Sequence, residues 1–294
     1  MAKRHAGREL WARMQRFAEV EDGLPVYECG PWTLEKLFFL CQYLATTTKV
    51  IVGNSKFSSV DYLDLFASNG VCSVTGDDGR ARRYAGSALL AAGCEKPFNN
   101  LFLVEKDPSN AEALARRLNR LNTRSKVDIQ VGDANAASVN LASRLPHGSL
   151  TVAFVDPFSL GIHFETLRLL ASRRAMDFII LFADSMDISR NVEEYYASQR
   201  SDKLDLFLGK DSNWRGSWAK LADHTGSSCR KFFADTYIAQ FSQLGYAYHR
   251  VKAIASDRGQ LYSLVYLSKN DLGLKFWDIA ANERLDGTKG LFGA

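Results

Sequence analysis

The 294-residue sequence predicts an α/β fold: a Rossmann-like, doubly wound sheet of about seven strands, mostly parallel, with an antiparallel C-terminal hairpin. Three observations carry this. Apolar runs at residues 60–66, 101–105, 127–131, 150–155 and 178–182 alternate with helix-patterned segments, the rhythm of βαβ units. Acids stand at or just after the ends of these runs, where open α/β sheets bind ligands. Two later strand-like runs, 246–255 and 261–267, are joined by Ser256-Asp-Arg-Gly259, a hairpin signal.

Each element has a local reason. Residues 1–17 hold Lys3, Arg4, Arg8, Arg13 and Arg16 against Glu9 alone. They account for the whole net charge of +4 and leave 32 residues of each sign elsewhere. A basic arm of this kind suits phosphates. The stronger reading is an amphipathic helix with Leu10, Met14 and Phe17 on its packed face. Residues 1–31 are thus expected to be a basic arm and linker, with a connecting loop over 18–31. Thr33 and Glu35 then open a helix whose packed face is Leu34, Leu37, Phe38, Cys41 and Leu44. The main α/β domain is expected over 32–285, with insertions at 71–86 and 186–224 and a tail at 286–294.

The first insertion follows Val60-Asp-Tyr-Leu-Asp-Leu-Phe-Ala-Ser-Asn-Gly70, a strand that empties into a small, polar loop. It contains the turn signal Thr75-Gly-Asp-Asp-Gly-Arg80 and is longer than the usual strand-to-helix loop. A lid over a pocket is the expectation, ahead of a surface hairpin. A short helix follows, with Ser87 near its cap. Helices are also expected from Pro108-Ser109 to about Leu121, over 164–171 and 229–244, and around Leu274, Trp277 and Ile279. The second insertion carries Tyr195, Tyr196, Trp214 and Trp218. Aromatics at such intervals can stack bases. Without a basic excess, the core reading is preferred.

Composition excludes some classes. The 46% hydrophobic and 12% aromatic content supports a substantial core, yet no run of 18 apolar residues spans a membrane. No signal-peptide apolar block opens the chain, and five scattered cysteines point to reduced thiols and a cytoplasmic protein. There is no Gly-x-x-x-x-Gly-Lys-Ser/Thr loop, no His-Glu-x-x-His, no Gly-x-Ser-x-Gly and no metal-ligand spacing. His163-Phe-Glu165 lacks the Pro-Cys-x-x-Cys of a zinc deaminase and reads as a helix start.

The acids carry the functional expectation. Asp64 lies in the first strand, Glu105 ends the second, Asp133 follows the third and Asp156 the fourth. An acid ending the second strand suits ribose hydroxyls, because a carboxylate accepts from both. The loop holds one glycine instead of Gly-x-Gly-x-x-Gly, so a pyrophosphate seat is poorly supported. A ligand with adenosine and no diphosphate fits better, and S-adenosylmethionine (SAM) is such a ligand. The expected cofactor-binding residues are Asp64, Phe66, Ala67 and Gly70, Glu105 with Lys106, and Asp133 with Ala134.

At this point the chain resembles a known family. Trp32-Thr-Leu-Glu-Lys36 with Tyr43-Leu44, Tyr62-Leu-Asp-Leu-Phe-Ala67 with Gly70, and Gly86-Ser87 are similar to motifs of the three-Cys-motif partner proteins, TcmP. So are Val104-Glu-Lys-Asp107, Gly132-Asp133, Val155-Asp-Pro-Phe158 and Tyr262-Ser-Leu-Val-Tyr266. The resemblance covers residues 28–284 and implies a class I SAM-dependent methyltransferase fold, whose last strand is antiparallel. It also implies a protein partner bearing a radical-SAM-like three-cysteine motif. The family's glycine-rich loop reads Phe66-Ala-Ser-Asn-Gly70 here, with Ser68 in place of a glycine.

Methyl transfer needs alignment of nucleophile and methyl and, where required, a proton acceptor. Asp156 is the candidate for that role, with Pro157 stiffening the turn and Phe158 walling the acceptor pocket. The sequence supports a methyltransferase acting on a nucleic acid or other macromolecule. Its alternative is a non-catalytic SAM-binding partner subunit. Asp-Pro-Phe-Ser departs from the Asp-Pro-Pro-aromatic motif of base-amine enzymes, which weakens a base-amine assignment.

Overall fold

The structure, a computed structural model, describes residues 6–173, 175–197, 203–257 and 259–285. The chain opens with α1 (Ala6–Glu19), β1 (Tyr27–Cys29) and α2 (Trp32–Ile51). Then come β2 (Val60–Asp64), β3 (Val71–Thr75), β4 (Ala81–Ala85) and α3 (Ser87–Ala92). The βα alternation follows as β5 (Asn100–Glu105), α4 (Pro108–Leu121), β6 (Lys126–Val131), α5 (Ala134–Arg144), β7 (Leu150–Val155), α6 (Phe164–Arg173) and β8 (Ala175–Phe182). After a π-helical turn, Asp184–Ile188, come α7 (Ser189–Ala197), α8 (Lys203–Leu208), α9 (Trp214–Trp218) and α10 (Gly226–Ser242). The chain closes with β9 (Tyr248–Ser256), β10 (Gly259–Ser268) and α11 (Leu272–Ala281).

Seven strands form one sheet in the order β6-β5-β2-β7-β8-β10-β9. All neighbours from β6 to β8 pair in parallel, while β10 runs antiparallel to both β8 and β9. This is the Rossmann-like sheet expected from the sequence, with its C-terminal hairpin. The order reverses direction at β2, the strand between β5 and β7. Ligands of doubly wound sheets bind outside the carboxyl ends of the strands at such a switch point. Central strands β2 and β7 are buried almost throughout, so their apolar runs are continuous rather than alternating.

Three expectations need correction. The segment 71–86 is no lid. Its strands β3 and β4 form a hairpin, and β1 adds in parallel to β3 to make a separate three-stranded sheet. Val71, Val74 and Ala85 are buried, and the tip is closed by the Gly76 N–H to Arg80 C=O bond at 3.0 Å. The loop expected over 18–31 therefore contains a short strand. Thr33 is not the cap of α2 either: the helix starts at Trp32 behind Pro31, and Thr33 is buried with its N–H on the Gly30 carbonyl at 3.0 Å. Helix α2 runs on past Leu44 to Ile51 and passes through Thr46-Thr-Thr48. Burial on nearly every side outweighs the weak helix preference of threonine there.

Helix α1 is amphipathic, with Leu10 and Met14 buried and Phe17 partly covered. Trp214 and Trp218 are buried against Phe233, so these aromatics belong to the core. All five cysteines are free thiols. No helix among the described residues is long and apolar enough to cross a membrane. The tail expected at 286–294 lies outside the described residues.

Candidate functional site

The carboxyl edge of the main sheet is built first by the β2 loop. Ser68 takes φ of 52° and Gly70 takes φ of 85°, so two left-handed residues fold the backbone back on itself. For serine this conformation costs about 1 kcal/mol. Two contacts offset it. The Ser68 N–H donates to Glu105 Oε2 at 2.8 Å, and Asn69 is clamped by Arg117 on α4. The Arg117 side chain is fully buried and donates to the Asn69 carbonyl at 2.7 Å, the Pro25 carbonyl at 2.9 Å and both oxygens of Asp22. Arg83 also pairs with Asp22, at 2.8 Å. Arg117 first, and then Arg83, hold the Asp22 carboxyl well below the usual carboxylate range against the opposing effect of burial.

Glu105 ends β5 half-exposed, one strand from this loop. Oε2 binds Ser68, and Oε1 accepts the Asp107 N–H at 2.8 Å. Each carboxylate oxygen keeps acceptor capacity after one backbone bond. Asp64 is different. It is fully buried, accepting from Ser87 Oγ at 2.6 Å, Tyr62 OH at 3.1 Å and the Phe66 N–H at 3.1 Å. Burial pushes its carboxyl up to about 6 against the Ser87 and Phe66 bonds, and the Asp156 charge adds to the rise. Asp64 shapes the loop from beneath.

The other expected cofactor residues surround this pair. Phe66 is half-buried, and Ala67 is buried with its N–H on the Val104 carbonyl at 2.9 Å. Lys106 is exposed. Asp133 is exposed and caps α5, its Oδ1 accepting from the Asn135 and Ala136 N–H groups at 3.0 and 3.2 Å. Ala134 is buried in the first turn of that helix.

The acceptor side lies one strand away. Asp156 follows β7, and its Oδ2 receives Lys36 Nζ from α2 at 2.5 Å. Only 11% of the Lys36 side chain is exposed, and its ammonium stands 5.7 Å from the Tyr262 ring centre. Pro157 is buried, whereas the Phe158 ring is 86% exposed. Cys29 adjoins the ion pair: the Cys72 thiol beside it lowers its pKa to about 7, against burial and with help from the Lys36 ammonium.

Sequence reasoning missed several groups on this side. Lys36 lies in a quoted motif, but its role was unread; a lone cation on the packed face of an apolar helix was the available signal. Asn135 ties α5 to the loop before α6, accepting the His163 N–H at 2.9 Å and donating to the Gly161 carbonyl at 2.9 Å. The π-helical turn carries two acids, and such turns cluster at functional sites. Asp187 accepts from Ser159 Oγ, from Tyr195 OH at 2.5 Å and from Lys203 Nζ at 3.1 Å. Asp184 Oδ2 accepts from Gln260 at 2.9 Å and Ser263 at 2.7 Å, and burial raises its carboxyl.

The edge thus holds a half-exposed acid beside a tight small-residue loop, then a buried ion pair beside an exposed ring. No protein-family model matches the chain, and no curated protein matches it. Among solved structures, a Legionella pneumophila protein under the family model DUF519 is similar, at 10% identity and a TM-score of 0.50. That likeness covers 81% of this chain and 87% of the other. The O-methyltransferase from Bacillus cereus in complex with SAH shows 10% identity over 92% of this chain and 91% of its own, with a TM-score of 0.45. The O-methyltransferase TomG from Streptomyces achromogenes in complex with SAM shows 14% identity over 92% and 88%, with a TM-score of 0.41. The first likeness is one of fold.

Proposed function

We propose that the chain binds SAM at the carboxyl edge of its main sheet and transfers the methyl group to an acceptor docked against Asp156, Pro157 and Phe158. The observation that carries this reading is Glu105. Its carboxylate is tied to Ser68 of the β2 loop and still has acceptor positions for a ribose diol. The residues present fit an adenosyl group: Glu105 for the ribose, the Phe66–Gly70 backbone for close approach, and Asp133 Oδ2 on the neighbouring strand end. The seven-stranded sheet with one reversed strand agrees with the fold that the TcmP resemblance implies. When bound, the cofactor supplies an electrophilic methyl. The chain's own task is to orient a nucleophile at Asp156 and to receive its proton.

Calorimetric titration with SAM and with S-adenosylhomocysteine tests the reading. Both are expected to bind, and Glu105→Ala is expected to weaken both by roughly 10- to 100-fold, the scale of lost charge-assisted hydrogen bonds. No heat from either ligand up to millimolar concentration would overturn it.

The acceptor we favour is a nucleic acid or other macromolecule, because the exposed Phe158 ring offers a flat apolar contact beside Asp156. A second reading, a SAM-binding subunit without transferase activity, is favoured by Lys36, which already occupies the Asp156 carboxylate. Incubation of RNA, DNA and protein pools with methyl-labelled SAM separates the two: labelling that Asp156→Ala abolishes supports transfer. The motifs shared with the three-Cys-motif partner proteins support a radical-SAM-like protein as the partner in either reading.

A further inference from the structure

We propose that Lys36 Nζ is itself a methyl acceptor, so that the chain carries an internal N-methylation site on α2. This rests on the SAM reading above and adds a residue to it. Three observations point to Lys36. Its Nζ lies 2.5 Å from Asp156 Oδ2, the carboxylate assigned to orient the acceptor. The side chain is held in place, with 11% exposure. The Tyr262 ring stands 5.7 Å from the nitrogen, within reach of a cation–π contact that a methylated ammonium keeps. Tyr262 is 2% exposed, and its hydroxyl is buried with no hydrogen-bond partner.

The chemistry balances with the groups present. Lys36 gives one ammonium proton to Asp156, and the freed Nζ lone pair forms the bond to the methyl carbon. The carbon–sulfur bond breaks with its electron pair left on sulfur. The products are N-methyl-lysine, S-adenosylhomocysteine and a proton that leaves Asp156 for solvent. Lysine accepts up to three methyls this way, and the mono-, di- and trimethylated forms can all carry a positive charge.

The experiment uses the full-length protein purified from cells and incubated with excess labelled SAM. Intact-mass and peptide-mapping spectrometry then locate any methyl group. The expected result is added methyl mass on Lys36, absent from Lys36→Arg, which keeps the ion pair and so guards against misfolding. A second readout does not depend on transfer. If Lys36 is the acceptor, its charge must lie close to the bound sulfonium, so for Lys36→Met calorimetry should show the SAM-to-S-adenosylhomocysteine affinity ratio rising by roughly fivefold. Binding with no methyl on Lys36, a methyl on Cys29 instead, or an unchanged affinity ratio overturns the inference and leaves the SAM reading standing. Absence of binding overturns both.

Discussion

The two halves of the main sheet hold their strand-end acids in opposite ways. On the β2, β5 and β6 side the acids mostly bind backbone: Glu105 takes the Ser68 and Asp107 N–H groups, and Asp133 takes those of Asn135 and Ala136. On the β7 and β8 side they bind side chains. Asp156 holds Lys36, Asp187 holds Ser159, Tyr195 and Lys203, and Asp184 holds Gln260 and Ser263. A backbone N–H is present whatever residue supplies it, so the first arrangement fixes loop shape. A side-chain donor depends on one residue's identity, so the second arrangement can be retuned by single substitutions. The first half behaves as scaffold for a constant ligand and the second as the variable half of the site.

The largest expected effect comes from removing the buried cation under the scaffold half. Arg117→Ala leaves Asp22 with the Leu24 N–H and its outer arginine partners and releases Asn69, so stability should fall by about 3–5 kcal/mol in denaturant unfolding. A loss below about 1 kcal/mol would mean that the β2 loop does not depend on this clamp.

The next effect concerns two buried acids, Asp64 on β2 and Asp177 on β8. Asp64 and Asp177 are buried, have no cation partner among their hydrogen bonds, and are pushed up to about 6 by burial from the ordinary 3.8. Between those values the folded chain binds more protons than the unfolded one. Stability is therefore full below about pH 4 and falls as pH rises toward 6, by up to about 3 kcal/mol for each group. Melting temperature against pH should show the decline, and Asp177→Asn should remove its share. An unchanged slope in that variant would show that Asp177 is not the group responsible.

The smallest effect lies in the variable half. Lys203 is exposed, and Asp187, though buried, keeps donors from Ser159, Asn191 and Tyr195 without it. Lys203→Ala should change stability by less than about 1 kcal/mol, again read from denaturant unfolding. A larger loss would show that the variable half also serves as scaffold.

The same contrast explains what was legible in the chain. The strands announce themselves by apolar runs, and the backbone-bound acids act locally: Asp107 and Asp133 cap helices two and three residues ahead. The side-chain pairs are distant in sequence. Lys36 and Asp156 stand 120 residues apart, and Asp184 and Gln260 stand 76 apart, so no window of sequence contains both partners. The lid expected at 71–86 failed for the same reason. Cys72 pairs with Tyr27, and without that upstream strand the segment reads as a long loop.

The β3–β4 excursion leaves the main domain at Gly70 and re-enters at Gly86, and one hydrogen bond of 2.8 Å, from the Gly86 N–H to the Gly70 carbonyl, joins the two ends. A side chain at Gly86 would press on the Gly70 backbone at 3.2 Å, so the neck depends on that glycine. Because exit and entry coincide, the length of the excursion is uncoupled from the spacing of β2 and α3. Doubling a flexible loop costs only about 0.6 kcal/mol once its ends are held. The hairpin tip at Gly76–Gly79 is therefore a graft port, where a reporter peptide can be inserted without lengthening any path through the main sheet.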